Sequence, residues 1–254
     1  MKEYTIRNTQ YKIRYNDFNG EKLPILFIHG LGCASSFDYV EIACKKEFLD
    51  HRRILIDLLG AGYSDKPHDF IYQVKNHAKY LSEFIDDMGL EKVIVFGHSL
   101  GGAIAIELCR LCEDKIDRLI LTEPNLDPAK KGRTSYAVAQ YTENNYKNSI
   151  KRLIEYCESG KNTMWAATLK NWLPEAAYQI SRDAVVVRDK SWRSLLYSYN
   201  IPRYFIFGEK TLPSSDLEEL PKHNIKVKIV KDAGHSMAWE NPDGLAEIIS
   251  SCIE

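Results

Sequence analysis

The feature that most constrains this chain is the stretch at residues 93–102, which is Val-Ile-Val-Phe-Gly-His-Ser-Leu-Gly-Gly. A short β-branched run ends at Gly97, and residues 103–112 favour a helix, so the stretch predicts a strand, a tight turn and a helix. Its middle fits G-x-S-x-G, in which the serine occupies a strained turn between strand and helix. Glycine on either side lets such a turn close without a side-chain collision. We therefore expect Ser99 at the carboxyl edge of a sheet, beside the positive end of the following helix.

Strand and helix patterns alternate through most of the remaining chain. Alternating residues at 4–7 and 11–15 predict an opening hairpin, followed by a turn at 16–20. Continuous apolar runs, typical of strands covered on both faces, come next, and their separation by helices predicts a mostly parallel sheet with helices on both faces. The later strands are predicted at 24–28, 53–57, 118–122, 203–207 and 225–230, and helices at 74–88 and 244–253.

The pattern changes at residues 125–200, where helical stretches occur without a convincing parallel strand. Helices inserted between two strands, over the carboxyl edge of a sheet, form a lid. We therefore predict a core of residues 1–124 and 201–254 and a helical lid at 125–200. An aromatic-rich lid indicates a substrate pocket with apolar walls, although the rings could equally pack the lid onto the core. The insertion holds three of the four tryptophans, Trp165, Trp172 and Trp192, and its helices are predicted at 149–157, 164–172 and 175–187.

Composition excludes several classes of function. The 254 residues have a net charge of −1 at pH 7, whereas a protein that binds nucleic acid or an anionic membrane surface needs a basic excess. The N-terminal residues lack the apolar core of a signal peptide, and no run is long enough to span a bilayer. Neither a dinucleotide fingerprint, a Walker loop nor a metal-ligand cluster occurs. We expect a soluble, cytoplasmic protein with no membrane span, nucleic-acid partner, cofactor or metal.

The six cysteines are scattered through a chain that is too long to need disulfides, which favours reduced thiols. Cys109 and Cys112 form a C-x-x-C motif, but they fall on the predicted helix after Ser99 and have no second pair nearby. We interpret both as buried, small apolar residues.

Two other loops after predicted strands have residues suited to catalysis. His29-Gly30-Leu31-Gly32 follows the strand at 24–28, and a loop of this kind brings backbone N–H groups to the sheet edge, where they can bind an oxyanion. Ala233-Gly234-His235-Ser236 follows the strand at 225–230. A serine hydroxyl is a poor nucleophile at neutral pH, so a neighbouring imidazole must take its proton. His235 lies in a loop that reaches the edge where Ser99 is expected.

Together these segments resemble the α/β-hydrolase superfamily over nearly the whole chain. The resemblance depends on four segments in the right order: 29–32, 57–64, 97–102, and 233–236 followed by Glu-Asn-Pro at 240–242. It implies the α/β-hydrolase fold, an α/β architecture with a mostly parallel eight-stranded sheet, helices on both faces and a helical lid inserted after the sixth strand.

The resemblance also implies a set of site residues. Ser99 is expected as the nucleophile and His235 as the base, with the backbone N–H groups of Leu31 and Leu100 forming the oxyanion hole. For the two histidines that flank the site, His29 and His98, we favour a bracing role through hydrogen bonds.

The third member of the triad is where this sequence departs from the family. A carboxylate should hold His235 in the correct tautomer, and most members place an aspartate three residues past the glycine that ends the seventh strand. Here that position is Thr211. Some members, haloalkane dehalogenases among them, take the acid from the end of the sixth strand, where this chain has Glu123.

Glu123 is therefore the favoured acid, and its alternative role is to cap the first turn of the lid. Glu209 and Asp216 stay open as alternatives, because either could reach His235 from the usual loop. Asp232 ranks last, since it is too near His235 along the chain to orient the ring.

The predicted function is that of a serine hydrolase, acting on a small to medium, partly apolar carboxylic ester or thioester through an acyl-Ser99 intermediate. The same site could instead hydrolyse a carbon–carbon bond, open a lactone or perform cofactor-free peroxide chemistry, which fold and triad do not separate. A receptor-like homologue with little turnover is a further alternative, suggested by the missing aspartate. Dehalogenation is disfavoured, because dehalogenases use aspartate where this chain has Ser99.

Overall fold

An eight-stranded sheet forms the centre of the molecule. The computed structural model describes all 254 residues, apart from the side chain of residue 161. The strands are β1 (Lys2–Thr5), β2 (Lys12–Phe18), β3 (Lys22–Ile28), β4 (His51–Asp57), β5 (Val93–His98), β6 (Ile116–Thr122), β7 (Arg203–Gly208) and β8 (Lys226–Val230). Their order in the sheet is β1-β2-β4-β3-β5-β6-β7-β8. The pairs β1–β2 and β2–β4 are antiparallel and the other five pairs are parallel, which confirms the predicted mostly parallel sheet.

Helices cover both faces of this sheet. They are α1 (Ser35–Asp38), α2 (Val40–Ala43), α3 (Val74–Asp87), α4 (Leu100–Cys112), α5 (Thr134–Ala139), α6 (Tyr146–Tyr156), α7 (Thr163–Leu169), α8 (Pro174–Ala184), α9 (Trp192–Ser198), α10 (Asp216–Lys222), α11 (Met237–Glu240) and α12 (Pro242–Ile253). Short 3₁₀ turns lie at Lys46–Phe48, Glu113–Lys115 and Glu209–Thr211, and a π-type segment at Cys157–Lys161.

The apolar runs of the central strands are explained by burial on both faces. In β3, Leu26 and Ile28 pack into one core cluster with residues of α3 and α4. Ile25 and Phe27, which alternate with them, pack into a second cluster with residues of α12. Because successive side chains of a strand point to opposite faces, both faces of β3 are covered. A helix-covered parallel strand of this kind carries its functional residues at the carboxyl end.

The opening strands differ from the sequence prediction by a few residues. β1 ends at Thr5 rather than at residue 7, because the chain turns at Asn8, whose φ is 59°. Residues 16–18, predicted as part of a turn, lie in β2. Their polar side chains are compatible with the strand because Asp17 forms ion pairs with Lys2 and Arg52.

Five helices, α5 to α9, lie between β6 and β7. The predicted helices at 149–157, 164–172 and 175–187 correspond to α6, α7 and α8, whereas α5 and α9 were not predicted. These two helices have six and seven residues, and so short a segment has little helical periodicity to detect. α10, which follows β7, was also missed.

The cysteines are free thiols. Cys109 and Cys112 are buried on α4, and burial raises the pKa of both thiols. Both therefore stay protonated at neutral pH and pack as small apolar side chains.

Candidate active site

Ser99 occupies the turn between β5 and α4. Its φ of 53° and ψ of −121° are a strained conformation for a residue with a side chain. The backbone around it is held on both sides: the Ser99 N–H donates to the Thr122 carbonyl at 2.9 Å, and the Ser99 carbonyl accepts from the N–H groups of Gly102 and Asn125 at 3.0 and 3.2 Å. These bonds hold Ser99 at the carboxyl ends of β5 and β6.

The turn of Ser99 lies directly against the loop that follows β3. A Cβ atom added to Gly101 would lie 2.3 Å from the carbonyl oxygen of His29, and one added to Gly30 would lie 3.1 Å from the Cβ of Ser99. Glycine at position 101 is therefore required by the close approach of two backbones. The approach places Ser99 beside the loop that was predicted to supply an oxyanion donor.

The two predicted oxyanion donors lie on either side of this contact. Leu100 is the first residue of α4, so its N–H has no partner within the helix. The N–H of Leu31 belongs to the same peptide unit as the Gly30 carbonyl, which accepts from His29 Nδ1 at 2.9 Å and from the Cys33 N–H at 3.2 Å. Because N–H and C=O of a trans peptide point in opposite directions, these bonds also fix the direction of the Leu31 N–H.

His29 is well suited to this bracing role. The N–H of Leu58 donates to His29 Nε2 at 3.0 Å, so Nδ1 carries the ring proton that is donated to Gly30. The ring is fully buried, and burial lowers the pKa of His29. It therefore acts as a neutral structural donor.

His235 and Glu123 are joined by a short hydrogen bond. The distance from His235 Nδ1 to Glu123 Oε2 is 2.6 Å. The other oxygen, Oε1, accepts from the N–H of Gly208 at 2.9 Å and from the Thr211 hydroxyl at 2.5 Å. Burial raises the pKa of the Glu123 carboxyl, but these bonds and the charge of His235 outweigh it and the pKa is lowered. An ionised carboxylate on Nδ1 leaves Nε2 of His235 as the free basic nitrogen.

The alternative carboxylates have other partners. Glu209 accepts from the N–H of Asp232 at 2.9 Å, and Asp216 forms an ion pair with Arg193 at 2.8 Å. Neither is a hydrogen-bond partner of His235 among the described residues. Of the four candidates, the structure brings Glu123 to the histidine.

His98, the residue before Ser99, links the turn that holds Ser99 to His235. The ring centroids of His98 and His235 are 4.7 Å apart, and His98 Nδ1 lies 3.0 Å from the Thr122 hydroxyl. Desolvation and the neighbouring imidazole of His235 lower the pKa of His98, which favours a neutral ring. The half-exposed His235 is thus the imidazole available for proton transfer.

A small pocket of about 30 Å³ opens beside His98, between the loop after β8 and the inserted helices. Asp38 lies in its wall and accepts from the Ala34 N–H at 2.6 Å and from Trp239 Nε1 at 2.7 Å. Burial raises the pKa of Asp38 to about 6 despite these bonds. The pocket is also lined by Cys33, Tyr39, Phe96, His98, Thr122, Asn162, Trp165 and Met237. Sequence reasoning missed Asp38, because no motif distinguishes it from other loop carboxylates.

Two of the inserted tryptophans reach the loop after β3. Trp165 Nε1 donates to the Leu31 carbonyl at 2.8 Å, and Trp172 Nε1 donates to the Cys33 carbonyl at 2.7 Å. Their aromatic character suggested either a pocket wall or packing onto the core. Their polar contacts follow only from the tertiary arrangement.

A metal site is absent from the described part of the chain, where no group of three or more His, Cys, Asp or Glu side chains is placed to hold a metal ion. None of its helices combines the length and the apolar character that crossing a membrane requires.

Comparisons with known proteins identify the family of this chain. The family model described as alpha/beta hydrolase fold matches residues 24–242. Haloalkane dehalogenase 2 of Mycobacterium tuberculosis is 34% identical over 112 residues, which are 43% of this chain and 37% of that protein. The 2-hydroxymuconate semialdehyde hydrolase of Pseudomonas putida is 31% identical over 111 residues, 44% of this chain and 39% of that protein. Each match thus spans less than half of the relative's length.

Among solved structures, a thermophilic esterase from Thermogutta terrifontis superposes with a TM-score of 0.81. The match covers 99% of this chain and 97% of the esterase at 20% identity. At this identity the likeness shows the shared fold.

Proposed function

The chain belongs to the alpha/beta hydrolase fold family, and from that premise we propose that it is a serine hydrolase acting on a small to medium, partly apolar carboxylic ester or thioester. The observation that supports this most directly is the hydrogen bond of 2.6 Å between His235 and Glu123, formed beside the strained turn that holds Ser99. A buried carboxylate on one ring nitrogen prepares the other for proton transfer.

In the first half of the reaction, the Ser99 hydroxyl attacks the substrate carbonyl while Nε2 of His235 takes its proton. The negative oxygen of the tetrahedral intermediate accepts hydrogen bonds from the N–H groups of Leu31 and Leu100. His235 then gives its proton to the leaving alcohol or thiol, and the acyl group stays on Ser99. Glu123 stabilises the imidazolium that exists between these two proton transfers.

In the second half, a water molecule attacks the acyl-Ser99 carbonyl while His235 takes one of its protons. The same two N–H groups bind the second tetrahedral oxyanion. When this intermediate collapses, His235 returns the proton to Ser99 and the carboxylic acid leaves. We assign residues 125–200 to a lid over this site.

The small size of the pocket beside His98 and Trp165 supports a substrate in which one group is short. Its volume of about 30 Å³ has room for about two water molecules or a short alkyl group, since one water needs on the order of 10–15 Å³ by this measure. We assign this pocket to the smaller part of the ester.

Covalent labelling tests the proposed nucleophile. A fluorophosphonate probe should label the protein at Ser99, and the label should be absent from Ser99→Ala. Ser251→Ala changes an exposed serine on α12 and is the control that should label like the parent. An intact protein that takes up no label contradicts the proposal and favours a ligand-binding homologue.

A series of p-nitrophenyl esters, from acetate to octanoate, tests the substrate size. We expect turnover of the shortest esters and a steep fall in kcat/KM once the acyl chain outgrows the pocket. Equal rates along the whole series would contradict the assignment of the pocket.

Carbon–carbon bond hydrolysis is a second candidate, favoured by the 31% identity to the 2-hydroxymuconate semialdehyde hydrolase. Direct assay of 2-hydroxymuconate semialdehyde, followed by its absorbance, separates this activity from ester cleavage. Dehalogenation stays disfavoured despite the dehalogenase relative, because Ser99 stands at the nucleophile position.

A further inference from the structure

The loop after β3 is attached to the inserted helices through two indole N–H groups. From this geometry we propose that Trp165 and Trp172 are positioning residues that hold the Leu31 N–H in its direction toward the developing oxyanion. The inference rests on the proposed function, because it concerns the oxyanion hole of the same site. It adds that the inserted helices, and not the core alone, build this hole.

Three carbonyl groups of the loop are anchored, and the oxyanion donor lies among them. The Gly30 carbonyl is held from within the core by His29. The Leu31 carbonyl accepts from Trp165, which is 134 residues away in sequence, and the Cys33 carbonyl accepts from Trp172, which is 139 residues away. Since each peptide unit is planar, anchoring the carbonyls on both sides of the Leu31 α-carbon restricts rotation of its N–H.

Trp165 packs closely against the loop. Gly32 has a φ of +76°, and a Cβ atom added there would lie 2.4 Å from Trp165 Nε1 and 2.5 Å from the neighbouring ring carbon. The indole thus packs directly on the backbone at Gly32. A displacement of α7, which carries Trp165, must either move the loop or break the hydrogen bond to Leu31.

Trp172 acts on the Leu31 N–H indirectly, through Cys33. Trp172 holds the carbonyl of Cys33, and the N–H of Cys33 donates to the Gly30 carbonyl at 3.2 Å. The Trp172 ring additionally meets His29 edge-on, with centroids 5.7 Å apart. Trp172 therefore supports both groups that hold the Gly30 carbonyl, which shares a peptide unit with the Leu31 N–H.

The third tryptophan of the insertion provides an internal control. Trp192 is 1% exposed, and its Nε1 finds no hydrogen-bond partner among the described residues. Its ring instead packs under the Arg188 guanidinium at 4.0 Å. Trp192 therefore carries an indole N–H whose loss breaks no hydrogen bond, whereas Trp165 and Trp172 each donate to a carbonyl of the loop after β3.

The test replaces each indole by a ring that cannot donate. Trp165→Phe and Trp172→Phe keep an aromatic ring and lose the hydrogen bond, while Trp192→Phe loses an N–H that has no partner. With p-nitrophenyl acetate, we expect kcat to fall about tenfold in the first two variants, less than the roughly 10²- to 10³-fold cost of losing a donor outright. KM should stay within twofold, and Trp192→Phe should match the parent in both constants.

An oxyanion mimic separates positioning from general support. A trifluoromethyl ketone forms a tetrahedral adduct with the serine, and its Ki should rise in Trp165→Phe and Trp172→Phe by the factor by which kcat falls. Affinity for acetate, the ground-state product, should not change. Melting temperatures measured alongside show whether each variant is folded. If one of the two variants does not fold, the other still tests the proposal.

The outcomes are distinguishable. If the parent hydrolyses the ester and both variants keep kcat and Ki within twofold of it, the positioning role is wrong while the proposed function stands. A lower melting temperature with unchanged kcat would likewise show a merely structural role. A parent without esterase activity and without Ser99 labelling would overturn the proposed function and this inference together.

Discussion

The carboxyl ends of β6 and β7 can be compared directly, because they are neighbours in the sheet and the residues after them meet at one carboxylate, that of Glu123. β6 is followed by Glu123, and β7 is followed three residues later by Thr211. In most of the family that resembles this chain, the acid occupies the second position. Here the carboxylate comes from the first, and the Thr211 hydroxyl lies 2.5 Å from it.

The comparison shows a division of roles: the end of β6 supplies the carboxylate that meets His235, and the loop after β7 supplies a hydroxyl that holds this carboxylate. Thr122 and Ile206 are register partners in the parallel pair, and neighbouring strands lie about 4.8 Å apart. A glutamate has one methylene more than an aspartate, which helps it to reach across this gap. The hydroxyl at position 211 then satisfies an oxygen of the relocated carboxylate.

The two positions also differ in backbone strain. Glu123 has a φ of 41°, which is uncommon for a residue with a side chain and costs about 1–3 kcal/mol. Its N–H donates to the Ile206 carbonyl at 3.1 Å, so the strained residue is tied to β7. Strain of this kind concentrates at functional sites, which favours the proposed role of Glu123 over a simple cap of the insertion.

The largest effect is expected from Glu123→Gln. The amide keeps the shape of the side chain but cannot stabilise the imidazolium of His235, and loss of the triad acid typically lowers kcat by about 10⁴. Hydrolysis of p-nitrophenyl acetate measures this effect. A rate within about threefold of the parent would show that Glu123 does not orient the histidine.

Moving the carboxylate from position 123 to position 211 tests the comparison of the two strand ends directly. Glu123→Gly removes the carboxylate at a φ that glycine adopts freely, and it should be nearly as inactive as Glu123→Gln. Adding Thr211→Asp to it restores a carboxylate at the usual position, and we expect kcat to rise at least about tenfold over Glu123→Gly. If the double variant is no more active than Glu123→Gly, position 211 cannot serve His235.

A smaller effect is expected from Thr211→Val, which keeps the shape and removes the hydroxyl. A hydrogen bond to a charged group contributes about 1.5–3 kcal/mol, so losing the bond from the Thr211 hydroxyl should raise the pKa of Glu123. We expect kcat to fall about fivefold at neutral pH, because the carboxylate is less well held. Thr211→Ser, which retains the hydroxyl, is the matched control and should resemble the parent.

The effect of Thr211→Val on the free energy of unfolding should depend on pH. The pKa of Glu123 is lowered from its ordinary value of 4.5, so its contribution to the free energy of unfolding is fully present above that value and is lost as pH falls through the folded-state pKa. The difference between Thr211→Val and Thr211→Ser in urea unfolding should therefore shrink with falling pH. A difference that is constant at all pH values would show that Thr211 does not act through the carboxylate.

The smallest effects are expected at the alternative acids. Asp216→Asn removes one of two carboxylates that bind Arg193, and Asp127 still pairs with that guanidinium. Glu209→Gln changes a carboxylate that caps a backbone N–H. We expect kcat within twofold of the parent in both, with a loss of about 1 kcal/mol or less in the free energy of unfolding. A large drop in kcat for either variant would show that the acid that orients His235 lies in the loop after β7.

The fold was predictable where its determinants are local. The apolar runs that became β3 to β7 were located to within a few residues, because continuous hydrophobicity marks a strand covered on both faces. The short helices α5, α9 and α10 lacked such a pattern. The positions of Ser99 and His235 also follow from local motifs, since a glycine-bracketed turn after a strand is a property of five adjacent residues.

What the sequence by itself determined is the strand-turn-helix that holds Ser99, the loop that holds His235, and the order of strands and helices along the chain. The sequence favoured Glu123 among four candidate carboxylates, and the tertiary structure decided that Glu123 is the one bonded to the histidine. The tertiary structure also decided that Trp165 and Trp172 bind the loop after β3. The physical reason is that turns and strands depend on neighbouring residues, whereas a hydrogen bond between residues more than a hundred positions apart depends on how the sheet and the inserted helices pack.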